Sequence, residues 1–218
     1  MAFQRGPNIV TNGLVLALDA GNPKSYVNGS TIWYDRSGNA NNGTLTNGPT
    51  FNSADGGSIV FDGTNDYVNF NNIFNFTVGT ISVWFKTSNA GSSYRALINK
   101  SESWGLFLKD NILITYDWGN ATDRTTALNV ATNTWQNAVM SFNETIGTPS
   151  NNATIYLNGN LVLTTTVKWL SFFAFQISAQ NNSQNFSGNI SNSLVYNRAL
   201  SAQEIEQNYN AQKSRFNL

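Results

Sequence analysis

From Asp117 to Arg124 the chain reads Asp117-Trp118-Gly119-Asn120-Ala121-Thr122-Asp123-Arg124, which places an indole, two carboxylates and a guanidinium in one short stretch. That set suits a polar ring as ligand. C–H faces stack on an aromatic side chain, and hydroxyls exchange hydrogen bonds with Asp, Asn and Arg. Trp104, Asp117, Trp118, Asp123 and Arg124 are therefore the candidate ligand-binding residues. A plainer reading stays open, with Asp123 paired to Arg124 or a neighbour and Trp118 lying on a sheet. Catalysis has little to work with. The chain has no His and no Cys, so the commonest general base and the thiol nucleophile are both missing. Glycoside hydrolysis needs two carboxyl groups roughly 5–9.5 Å apart. Glu204 and Glu206 read as helical, while Glu102 and Glu144 fall in expected loops with no carboxylate partner at strand spacing. The expectation is a protein that binds and does not catalyse.

Composition narrows the partners. Over 218 residues, 12 basic and 12 acidic side chains cancel, and charged residues make up 11%. No basic footprint for nucleic acid or an anionic membrane results. With 40% hydrophobic and 13% aromatic residues the chain can bury a sizeable core. The length suits one β-sandwich domain over 1–218. No window approaches a membrane span, and MAFQRGPNIVTNG has no apolar leader core, so a protein made without an export signal is expected. Asn-x-Ser/Thr triplets, Asn28 and Asn75 among them, are what so Asn-rich a chain produces by chance.

The elements that must position the candidates are strands. Ile81, Val83 and Phe85 alternate with Ser82, Trp84 and Lys86, which puts the first set on a core face and leaves Trp84 needing cover or a ligand. Ser58–Val68 reads as two short strands closed by a polar turn at Gly63, Asn65 and Asp66. Leu14, Leu16 and Leu18 share a face of an opening strand that ends at Gly21-Asn22-Pro23. Residues 94–100, 104–108 and 111–116 form successive strands, as do 134–142 and 188–196. Asn158-Gly159 predicts a type I′ hairpin, since both central positions need positive φ. Ser201 and Glu204 form a capping box, with Leu200 and Ile205 as a hydrophobic staple, and so open a C-terminal helix.

Several of these stretches resemble one family. Gly57-x-Ile59-Val60-Phe61-Asp62-Gly63-Thr64-Asn65-Asp66-Tyr67-Val68, the Thr80–Phe85 strand, the Trp33-x-Asp35-x-Ser37-Gly38-Asn39 run, Tyr156-x-Asn158-Gly159-x-Leu161 and the Tyr196–Ile205 ending are similar to the laminin-G-like branch of the concanavalin A-like lectin/glucanase superfamily. The resemblance covers nearly the whole chain. It implies an all-β fold, a jelly-roll sandwich of two antiparallel sheets with a short C-terminal helix. It also implies glycan or host-surface polysaccharide binding. The GLVLALDAGNPKSY opening is similar to extensions on tailed-phage and bacterial surface proteins, and with the expected lack of an export signal this implies residence on a virion among other virion proteins, with a homo-oligomer as an option. In the family, early acidic loops sometimes hold Ca²⁺, and Asp19 and Asp35 match; no other cofactor is implied. Asp35 and Ser37 read equally as a turn cap. The family's acidic residue near Ser191-Asn192 is missing, and Asn137 stands where a His is frequent. A rival reading makes the protein a capsid or tail decoration, with Trp84, Trp169 and Phe172 as interface anchors.

Overall fold

The computed structural model describes residues 7–70, 73–88, 91–143, 152–168 and 174–218. Trp169, Phe172 and Glu144 lie outside the described residues. The strands are β1 (Leu14–Asp19), β2 (Ile32–Trp33), β3 (Gly43–Thr46), β4 (Thr50–Asn52), β5 (Ser58–Asp62), β6 (Tyr67–Asn69), β7 (Val78–Lys86) and β8 (Arg95–Lys100). They continue as β9 (Gly105–Lys109), β10 (Ile112–Asp117), β11 (Thr122–Asn129), β12 (Gln136–Asn143), β13 (Ala153–Leu157), β14 (Asn160–Thr165), β15 (Phe175–Ile177) and β16 (Ser187–Tyr196). Helix α1 (Ala202–Gln212) follows and runs into a 3₁₀ turn, Lys213–Phe216. The fold is all-β: two antiparallel sheets face each other as a sandwich.

The first sheet runs β14-β13-β12-β7-β16-β5-β4, with β1 also paired to β16. The second runs β11-β10-β9-β8-β15-β6-β3-β2. Ile81, Val83 and Phe85 of β7 do face the interior, where they join Ala138, Met140 and Phe142 of β12 and meet Ile98, Leu106 and Leu113 from the second sheet. The Asn158-Gly159 turn has φ of 52° and 79°, as its type I′ geometry requires.

Three expectations are corrected by long-range pairing. The two strands of Ser58–Val68 do not pair: β5 lies beside β16 in the first sheet and β6 beside β15 in the second. Their polar turn is a corner between sheets, stapled by Asp62 accepting from the N–H groups of Thr64 and Asn65. Leu14 does not share a face with Leu16 and Leu18. A register shift between Leu14 and Leu16 turns Leu14 to the outer cluster with Ala17, as a one-residue bulge does. Trp84 is not an interface anchor. It is fully buried, stacked on Phe216 at 4.3 Å and Tyr209 at 5.5 Å, and its Nε1–H donates to Gln212 Oε1 at 2.7 Å.

The cover comes from the C-terminal helix. Its capping box is formed in full by Ser201 and Glu204, and Arg198 holds the Glu204 carboxylate through two hydrogen bonds of 2.9 and 2.6 Å. Hydrogen bonding from Arg198 pulls the Glu204 carboxyl down to about 2. Leu200 and Ile205 then pack on Val139, Tyr156, Leu194 and Tyr196. The outer face of the first sheet is thus largely roofed. Arg215 pins the tail by donating to Asp19 and to the carbonyls of Gly56 and Gly57.

Lys100 is wholly enclosed near the sheet-to-sheet core, with Nζ donating to the Ile73 carbonyl at 2.6 Å. Burial disfavours its charged form and brings its pKa down to about 8 from an ordinary 10.5. The folded value lies below the unfolded one. Below pH 8 both states carry the proton and the burial cost is fully present. Between pH 8 and 10.5 only the folded state releases it, so stability rises with pH. Urea melts of the wild type and Lys100→Met from pH 7.5 to 10 test this. The wild type should gain on the order of 2–3 kcal/mol relative to the variant. Parallel pH profiles would show that Lys100 titrates normally.

Candidate functional site

The second sheet has an outer face too, and among the described residues no helix lies on it. Ala96, Phe107 and Ile114 sit side by side there on β8, β9 and β10. Period two carries the same face outward through Tyr94 and Tyr116, and Trp118, in the turn after β10, meets Tyr116 there while also packing against the inter-sheet core. These three rings form a ladder. Tyr94 meets Tyr116 edge to face at 6.0 Å and 87°, and Tyr116 meets Trp118 at 4.7 Å and 63°. Beside them is a pocket of about 140 Å³, lined by Tyr94, Phe107, Tyr116, Trp118, Gln180 and Gln184. The Gln184 Oε1 is buried without a hydrogen-bond partner. Its loop is fixed by Ala96 N–H donating to Gln184 O and by Arg95 donating to Asn185 O.

One edge of the pocket is charged, and its charges are paired. Tyr94 Oη–H donates to Asp123 Oδ1 at 2.8 Å, and Lys109 Nζ reaches Asp123 Oδ2 at 2.8 Å while lying over the Tyr94 ring at 4.4 Å. The hydrogen bond to Asp123 moves Lys109 upward from its ordinary value. Burial raises the Tyr94 hydroxyl. At neutral pH the ammonium and carboxylate offset each other, and Tyr94 stays a neutral ring held in place. The pair is partly exposed and screened by solvent, so its role is to orient Tyr94.

The structure divides the five expected ligand residues by strand parity. Asp117 and Arg124 belong to β10 and β11, not to a free loop, so the segment is a tight hairpin around residues 118–121. Tyr116 and Asp123 are register partners on the outer face, where Trp118 meets Tyr116 from the turn. Thr115 and Arg124 are partners on the opposite face, where Asp117 is fully buried. Arg124 donates to Asp117 Oδ2 at 2.6 Å, Asn120 donates to the same oxygen, and Lys168 N–H reaches Oδ1. Burial of Asp117 opposes its charge, but the hydrogen bonds from Asn120, Arg124 and Lys168 outweigh it and hold the carboxyl below its usual range. This pair locks the hairpin that presents Trp118. Trp104 belongs elsewhere: it is wholly buried in the core between the sheets, stacked on Phe76 and Phe142. Tyr94, Tyr116, Gln180 and Gln184 escape sequence reasoning. Tyr116 is recoverable as the residue two before Trp118, whereas nothing local marks the two glutamines.

The Ca²⁺ expectation does not fit the donors present. Both oxygens of Asp35 accept from protein groups, Oδ1 from Ala17 and Ser37 N–H and Oδ2 from Ser37 Oγ–H and Asn41 N–H. Asp19 is ion-paired with Arg215 at 2.6 Å, a cation where a second cation would have to sit. Among the described residues no three acidic, His or Cys side chains converge, while Ca²⁺ takes about 6–8 oxygens. Asp35 is a turn cap, tying residues 35–41 to β1.

In comparisons with known proteins, no curated protein matches this chain. Among solved structures it is similar to the binding domain of Paraclostridial Mosquitocidal Protein 1, with TM-score 0.68 and 20% identity over 92% of this chain and 52% of that one. It is also similar to domain 4 of AbnA, a GH43 extracellular arabinanase from Geobacillus stearothermophilus in complex with arabinotriose, with TM-score 0.69 and 15% identity over 90% and 98%. A third is Trypanosoma rangeli sialidase in complex with 2,3-difluorosialic acid, with TM-score 0.70 and 14% identity over 96% and 35%. The chain therefore spans about half the length of the toxin domain and about a third of the sialidase. At such identities the likeness concerns the fold and leaves the ligands to those proteins. Sequence is more specific. Residues 62–206, from the end of β5 into α1, match the model of one family, and the chain belongs to the concanavalin A-like lectin/glucanases superfamily.

Proposed function

We propose that this chain is a non-enzymatic glycan-binding module that seats one sugar ring against Tyr94, Tyr116 and Trp118. The carrying observation is the aromatic ladder on the second sheet, over which no helix lies among the described residues, with the unpaired Gln184 Oε1 beside it. An aromatic platform takes the C–H face of a sugar, and a buried acceptor takes one of its hydroxyls. The neighbouring charges are paired, which favours a neutral ring over an acidic one. The lining residues themselves carry no carboxylate, and Asp123 at the edge is held by Tyr94 and Lys109, which does not suit the acid and nucleophile of a glycosidase. Binding domains and glycan-bound structures among the fold's neighbours are consistent with this reading.

The setting we propose is a phage virion surface, where the module would contact host polysaccharide. That part rests on the similarity of the GLVLALDAGNPKSY opening to tailed-phage and bacterial surface proteins. A glycan array probed with and without EDTA is the test. Binding to a neutral sugar class, unchanged by chelation, is expected. A blank array, together with the chain's presence in purified phage particles, would favour a decoration role instead.

A further inference from the structure

A second pocket, of mixed polar and apolar lining, lies on the opposite outer face, beside the end of α1. Its volume is about 240 Å³. Ala17 and Leu194, register partners on β1 and β16, give it an apolar floor, and the next pair on that face, Asp19 and Asn192, continues it. Gln212 borders it from the helix. Arg36 borders it from the loop after β2, anchored by its own N–H donating to Ala17 O at 2.8 Å.

Part of the hydrogen-bonding capacity here is unspent. Gln212 gives its Oε1 to Trp84, so its amide NH₂ is turned away from Trp84. Asn192 is buried, and its Oδ1 has no partner. Asp19 uses Oδ1 for Arg215 and for Gly21 N–H, and its side chain remains 39% exposed. Arg36 is exposed, and no ion pair or side-chain hydrogen bond ties it to a described residue. Asp19 is already neutralised by Arg215, so Arg36 leaves the pocket with a net positive charge.

We propose that this pocket is a second ligand site, taking a small carboxylate-bearing molecule about the size of one acidic sugar ring. Arg36 binds the carboxylate, and a guanidinium is suited to this because its fork meets both oxygens. The ligand's hydroxyl donors go to Asp19 and Asn192, and its apolar face rests on Ala17 and Leu194. Two sites on opposite faces of one sandwich would let the chain hold two glycan segments at once.

A site-resolved NMR titration of the full chain tests this, with galacturonate, leucine and galactose as probes. Galacturonate should shift the amides of Ala17–Asp19 and Asn192–Leu194 and the Gln212 side chain, and the effect should weaken with salt. Leucine shifting the same signals more strongly would support the site and identify the carboxylate's source as an amino acid. Arg36→Gln should weaken binding at least about tenfold with an unchanged melting temperature, since Arg36 holds no described side chain. The proposal is overturned if neither carboxylated probe moves these signals, if galactose moves them equally, or if Arg36→Gln binds like the wild type.

Discussion

Trp104→Ala should be severely destabilising, with its effect falling on folding rather than on binding. The indole is wholly buried, with ring centroids 5.6, 5.3 and 5.8 Å from Phe76, Phe142 and Phe175. Its Nε1–H donates to Phe76 O at 3.3 Å. Truncation opens a cavity where the two sheets meet and leaves that carbonyl unpaired. Such changes cost about 3–5 kcal/mol, a large share of the ~5–15 kcal/mol that holds a domain folded. For a chain of this size the melting temperature should fall by roughly 6–20 °C. Thermal denaturation followed by near-UV circular dichroism reads this directly. A variant with an unchanged melting temperature and lost sugar binding would place Trp104 at a surface site and contradict the packing.

Trp118→Ala should do the reverse. The ring is partly exposed at the end of the ladder, with Tyr116 against it at 4.7 Å. Removing it takes away the outer wall of the pocket while the Asp117–Arg124 lock of the hairpin stays in place. Sugar affinity should fall about 10–100-fold, equivalent to about 1.4–2.8 kcal/mol. The melting temperature should change far less than in Trp104→Ala. Trp118→Phe restores a flat ring and should recover most of the affinity. Equal affinity for wild type and Trp118→Ala would remove this residue from the site.

The contrast between these two tryptophans shows where sequence reading stops. Both sit beside apolar strand residues, and composition cannot separate them. The pairing separates them: Trp118, in the turn after β10, borders the outer pocket beside Tyr116 while part of it packs against the core, whereas Trp104 lies wholly within that core. Local signals are reliable where local physics decides. The Asn158-Gly159 turn, the Ser201–Glu204 capping box and the Ile81–Val83–Phe85 face all form as their residues dictate. Strand alternation marks Trp84 as needing cover, but Phe216 and Tyr209, which supply it, arrive from far along the chain. The corner at Gly63–Asp66 has the residues of any polar turn, and only the pairing of β5 and β6 with different sheets makes it a crossing. Gln184 reaches the pocket from a loop with φ of 53°, a placement set by the Ala96 and Arg95 contacts rather than by its neighbours.

The central claim is that the aromatic ladder of the second sheet is the sugar-binding surface. Its most direct test is the indole N–H spectrum of the protein titrated with the sugar class that binds on the array. Trp118 should shift progressively with sugar, together with the amides of Tyr94, Tyr116 and Gln184. The signals of Trp33, Trp84 and Trp104, all fully buried, should stay in place. Saturable binding with Trp118 and its neighbours unmoved would contradict the account and put the sugar elsewhere on the molecule.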